Sequence, residues 1–138
     1  MKFMIIIYTD PALMDALPEG RVDEMLRDCF AHTDVLQREG VLLESRMLGP
    51  AAAAKTLRVR KGRSHATDGP FAEAKEVLGG FNLIEAADID EALRIAAAFP
   101  WSAAGSVEVR PVEDLDAVRR RVGHAAVPAE QEASCRPQ

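Results

Sequence analysis

Three stretches of the sequence predict an α+β fold with the element order βαββαβ. Residues 2–8 are an apolar run rich in Ile and aromatics, the pattern of a central strand covered on both faces. Residues 21–39 change to a helical period, and residues 79–112 supply a strand, a helix and a strand in succession. At 138 residues, the chain is long enough for one domain with a real core and too short for two.

The first strand is cut off by Asp10 and Pro11. Residues 9–20, with Pro11, Pro18 and Gly20, read as a connection holding at most one helical turn. In the first helix Val22, Met25, Leu26, Cys29, Thr33 and Leu36 fall on one stripe, with Asp23, Asp28, Asp34 and Arg38 facing outward. Gly40 is placed to end it, because glycine accepts the left-handed conformation at a helix C-terminus. Residues 41–48 make a strand stopped by Gly49 and Pro50, and the alanines at 51–54 fit a loop or a helical turn. Residues 56–60 alternate Leu57 and Val59 with Arg58 and Arg60, as in a half-exposed strand. Lys61-Gly62-Arg63 then turns the chain into a hairpin partner at 64–67.

Residues 72–77 are good helix formers, enough for one or two turns. The strand at 79–86 puts Phe81 and Leu83 on one face and Ile84 on the other. Asp88, with Glu91 three residues later, caps a helix whose stripe is Ile89, Ala92, Leu93 and Ala96, and Pro100 stops it. The last strand, 106–112, points Val107 and Val109 inward. Composition shifts after Val112: residues 113–122 read as a short charged helix, and 123–138 as a polar Ala/Pro-rich tail expected to be disordered. The domain is therefore placed at residues 1–112, with a C-terminal extension at 113–138.

Bulk properties narrow the function. The 48% apolar and 28% charged fractions are those of a soluble globular protein. A net charge of −5 argues against nucleic acid and against an anionic membrane as partner. Cys29 and Cys135 are far apart and form neither a disulfide framework nor a metal spacing, so a cytoplasmic setting is expected. There is no phosphate loop, nucleophile elbow or dinucleotide fingerprint. No cofactor and no metal are implied.

The element order is that of the ferredoxin-like class with an extra hairpin inserted. Two helices then cover one face of an antiparallel sheet. The first strand is nevertheless apolar on both faces, with Phe3, Ile5 and Ile7 on one side and Met4, Ile6 and Tyr8 on the other. The sequence holds no further long apolar helix for the second face, and a large exposed apolar face is disfavoured on a soluble monomer. A homodimer with two sheets packed face to face is the expected solution.

Thr67-Asp68-Gly69-Pro70-Phe71-Ala72-Glu73, followed by Lys75, Glu76, Leu78-Gly79-Gly80-Phe81 and Leu83-Ile84, and later by Gly105-Ser106-Val107-Glu108-Val109-Arg110-Pro111-Val112, resembles the DGPF branch of the YCII-related family. The opening Lys2-Phe3-Met4-Ile5 and the helix ending at Gly40 fit as well. The resemblance implies a dimeric α/β barrel of ferredoxin-like subunits. It implies two kinds of function: a cofactor-independent small-molecule enzyme, a lyase, isomerase or dehydrochlorinase-like protein with a His and an Asp in a cleft; or a non-catalytic ligand- or protein-binding dimer in regulation, associated with an extracytoplasmic-function sigma factor.

Asp68 is the leading site candidate, because Gly69 and Pro70 hold the chain behind it in a defined direction. Its carboxylate serves either as general acid or base over the open sheet face or as a turn cap accepting backbone N–H groups from residues 69–71. His32 is its candidate proton-transfer partner, although relatives place their His about one turn earlier, near Cys29; the other reading is a residue at the border of the buried stripe. Gly69, Pro70, Phe71 and Glu73 are the candidate ligand-binding residues. His65, three residues before Asp68, reads as a hairpin surface residue, Lys75 as a solvated charge, and His124 as incidental. Gly79-Gly80 marks a bulge or a close backbone approach. Arg58, Arg60, Lys61 and Arg63 read as a charged strand edge that discourages aggregation.

Overall fold

A computed structural model describes residues 1–70 and 74–124. Phe71 and Glu73, and the tail at 125–138 for which disorder was expected, lie outside the described residues. The strands are β1 (Lys2–Thr9), β2 (Leu42–Met47), β3 (Lys55–Arg60), β4 (Arg63–Asp68), β5 (Val77–Glu85) and β6 (Gly105–Pro111). The helices are α1 (Pro11–Asp15), α2 (Arg21–Arg38), α3 (Ile89–Ala97) and α4 (Leu115–Arg121), with 3-10 turns at Ala51–Ala53 and Pro100–Ala103. The main sheet has the order β2-β5-β1-β6 and is antiparallel throughout. That is the ferredoxin-like α+β arrangement, and β3-β4 forms a separate two-stranded sheet.

The alternation of β1 divides the molecule. Phe3, Ile5 and Ile7 point to the helical side and form the core with Ile84, Met25 and Leu36 of α2, Ala92 and Ala96 of α3, and Phe99 and Trp101. Each large side chain buried this way contributes roughly 1.5–3 kcal/mol. Val107 and Val109 of β6 pack against the same cluster. On the other face Met4 pairs with Leu83 and Ile6 with Phe81, and these four side chains remain half-buried. This apolar strip is flanked by Glu44 and Arg46 on β2 and by Glu108 and Arg110 on β6, each opposite one of its members.

The helix ends follow the capping signals. Asp88 accepts the Glu91 N–H at 2.8 Å, and Glu91 accepts the Ala87 N–H at 3.3 Å. Gly40 follows α2 at φ +72°. Gly79 is the extra residue of a bulge, since Ile7 pairs with Gly80 and Tyr8 with Leu78.

Three local expectations change. Ala74–Glu76 hold no helical turn, and Val77 already pairs with Thr9; a helix of one or two turns without an apolar face to bury is not stable, whereas a β-branched residue beside an open strand is. In α3, Ala92 and Ala96 are buried while Leu93 and Ile89 are exposed, because small side chains let that helix approach the sheet closely. Leu57 and Val59 are 67% and 57% exposed: the hairpin forms a sheet separate from the main one, so its apolar row has no cover among the described residues.

Gly105 sits where β6 meets β1, and a Cβ there would overlap the Tyr8 carbonyl oxygen and lie 2.8 Å from Thr9 Cα. Gly49 has open space around it. Gly105→Ala is expected to cost about 1–3 kcal/mol in denaturant unfolding, and Gly49→Ala less than about 0.5 kcal/mol.

Candidate functional site

The signature segment is fastened at both ends. At its start β4 runs antiparallel to β3 in a register that sets Asp68 opposite Lys55, and Lys55 Nζ donates to Asp68 Oδ1 at 2.8 Å. The Asp68 side chain is 86% exposed. Gly69 then takes φ +95°, a conformation that favours glycine. Its N–H donates to the Ala54 carbonyl at 2.7 Å, and its own carbonyl accepts the Thr56 hydroxyl at 2.9 Å.

At the far end Lys75 Nζ lies 3.8 Å from Asp10 Oδ2. Asp10 is buried and caps α1, accepting the Ala12 N–H at 2.9 Å through Oδ1. The next residue, Glu76, accepts the Ser106 hydroxyl through both carboxylate oxygens, at 3.0 and 2.9 Å. Between these fastenings a cleft of about 540 Å³ opens, lined by Tyr8 and Leu78 of the open sheet face, by residues of the 48–54 segment including Pro50, and by Pro70, Ala74 and Glu76. The Tyr8 hydroxyl donates to Glu108 at 3.4 Å. The cleft therefore has apolar walls with a carboxylate and a phenol among its lining groups.

The expected site residues separate. Pro70 lines the cleft and Gly69 supplies the turn into it, while Phe71 and Glu73 fall outside the described residues. Asp68 faces solvent with Lys55 as its partner. His32 lies in the helical layer: its Nε2 is 3.0 Å from the Ile95 carbonyl, so this nitrogen carries the proton and donates. Its ring meets Phe99 edge-on, with centroids 4.6 Å apart. Among the described residues no hydrogen bond or ion pair links His32 to Asp68. His65 is exposed opposite Arg58 on the hairpin, and His124 caps the end of α4 through its backbone.

Sequence reasoning did not single out Tyr8, Asp10, Glu76 or Ser106. For Asp10 a signal existed, since Asp followed by Pro at the end of a strand is a helix-start pattern; its burial and the approach of Lys75 depend on long-range packing. Among the described residues no group of three His, Cys, Asp or Glu side chains is arranged to hold a metal ion. No described helix is long and apolar enough to cross a membrane.

These placements predict opposite outcomes for the two acids. Asp68→Asn should leave the melting temperature nearly unchanged, because an exposed ion pair contributes at most about 1 kcal/mol. Asp10→Ala should cost about 0.5–2 kcal/mol through loss of the α1 cap. Chemical denaturation of the two variants checks both.

Comparison with known proteins adds a lineage to this geometry. The YCII-related domain matches residues 1–116, a span that takes in every element of the main sheet, the hairpin and the first residues of α4. An uncharacterised protein of Rhizobium meliloti (strain 1021) is 37% identical over 114 residues, covering 81% of this chain and 92% of the relative. The chain belongs to the YCII-related domain family.

Proposed function

We propose that the protein works as a homodimer that holds a small organic molecule in the cleft beside the signature turn. The observation that carries this reading is the cleft itself: an apolar recess of about 540 Å³ with Glu76 and Tyr8 among its lining residues, the combination typical of small-molecule sites. Glu76 accepts a hydrogen bond from the Ser106 hydroxyl, so a ligand hydroxyl or amine can replace that hydroxyl without leaving the carboxylate unpaired. A small molecule with an apolar body and such a donor fits best.

Binding is favoured over turnover driven by Asp68, because that carboxylate is held by Lys55 and faces solvent. Where turnover accompanies binding, the chemistry is proton transfer without a cofactor, with Glu76 as the acid or base nearest the ligand. The homodimer is supported by the half-buried strip of Met4, Ile6, Phe81 and Leu83 and by the uncovered Leu57 and Val59. A second copy offers matching apolar surface to both.

A thermal-shift screen of small hydroxylated and amino compounds tests the cleft. A compound that raises the wild-type melting temperature should bind Glu76→Gln about tenfold more weakly, and should bind Asp68→Asn as it binds wild type. Equal binding to wild type and Glu76→Gln would remove the cleft from the function.

A further inference from the structure

The cleft of about 540 Å³ beside the signature turn has a one-sided charge. Among the described residues that line it there is no Lys, Arg or His, and Glu76 is the only charged one. The rest of the lining is apolar or small, with Tyr8, Pro50, Pro70 and Leu78 as its larger members. Glu76 is half-buried, so water screens it less than it screens a fully exposed acid.

Other acids of this protein have cations beside them: Arg21 stands by Glu24, Arg46 by Glu44, Lys55 by Asp68 and Lys75 by the buried Asp10. Lys75 is next to Glu76 in the chain and yet is directed to Asp10. Glu76 has no ion pair among the described residues. Its hydrogen-bond partner is the Ser106 hydroxyl, 3.0 and 2.9 Å from its two oxygens. A hydroxyl carries a single hydrogen, whereas a carboxylate has about four acceptor sites, so most of the acceptor capacity of Glu76 is unused. The Tyr8 hydroxyl does not serve Glu76; it donates to Glu108 at 3.4 Å.

We propose, building on the reading of this cleft as a ligand site, that its ligand is an organic cation: a primary ammonium on a compact apolar body. The ammonium donates to Glu76, and the body packs against the apolar lining. An ammonium brings several N–H donors and the missing positive charge, where an alcohol brings one donor and no charge. Its hydrogen bonds to a carboxylate are charge-assisted and roughly twice as strong as neutral ones. An anionic ligand would meet Glu76 with like charge and find no cationic side chain among the described lining residues.

Cyclohexylmethylamine, cyclohexylmethanol and cyclohexanecarboxylate present one ring with an ammonium, a hydroxyl and a carboxylate, and titration calorimetry at neutral pH compares them. The amine should bind the wild-type protein about tenfold more tightly than the alcohol, and the carboxylate more weakly than either. Glu76→Gln keeps an acceptor for Ser106 and removes the charge, and it should bring amine and alcohol within about twofold of each other. Asp68→Asn removes an acid outside the cleft and should leave the preference for the amine as it is in wild type. Alcohol or carboxylate bound as tightly as the amine would overturn the cation assignment and leave the cleft a site for another ligand. A preference that survives Glu76→Gln, or is lost in Asp68→Asn, would overturn it as well. Binding of none of the three up to its solubility would count against the cleft itself and this assignment together. The wild-type titrations need no substitution at Glu76, so they decide the ligand's charge even if that variant fails to fold.

Discussion

The central strands β1 and β5 have to be covered twice. On one side Phe3, Ile5, Ile7 and Ile84 are sealed by α2, α3 and the turn carrying Trp101. On the other, Met4 and Ile6 stand in register with Leu83 and Phe81, and both long helices have already been used. The close approach of neighbouring strands at Gly105 and the bulge at Gly79 fit these apolar rows together. The open face therefore sets the conditions for everything built beside it: the cleft lies at its end, and the hairpin projects with its own apolar row uncovered. Among the described residues, only one of the two faces of these strands is sealed, and Met4, Ile6, Phe81 and Leu83 on the other stay half-buried.

The signature segment makes physical sense as a clasp. Gly69 ties it to Ala54 and Thr56, and Lys75 and Glu76 tie it to Asp10 and Ser106. These fastenings join the hairpin, the end of β1 and the edge strand β6, three parts of the chain distant in sequence. Of this segment, Pro70, Ala74 and Glu76 line the apolar recess.

Periodicity made most of the fold legible. The 3.6-residue stripe of α2, the Asp88 cap of α3 and the two-sided apolar run of β1 each rest on local chemistry, and each lies where the sequence placed it. The partner of Asp68 was not legible: the sequence suggests a three-residue turn at Lys61-Gly62-Arg63, whereas the structure already pairs Arg60 with Arg63, and that register brings Lys55 opposite Asp68. What stayed hidden depends on contacts across the fold. The partners of His32 are Ile95 and Phe99, on and just beyond a helix more than 60 residues later. The exposure of Leu57 and Val59 contradicts what their alternation implies for a single chain, because a period-2 pattern marks a face to be buried without saying against what. Asn82 was not singled out in the sequence, and only the packing of the fold leaves it 2% exposed with its side-chain oxygen buried.

Sedimentation equilibrium of the wild-type protein is the most direct measurement of whether the open face is covered by a second copy. The expected mass is twice the 15.0 kDa of the chain, unchanged by moderate salt, because the strip of Met4, Ile6, Phe81 and Leu83 is apolar and its burial is not screened. A single-chain mass at micromolar concentration would contradict it, and the open face would then have to be covered by something other than this protein.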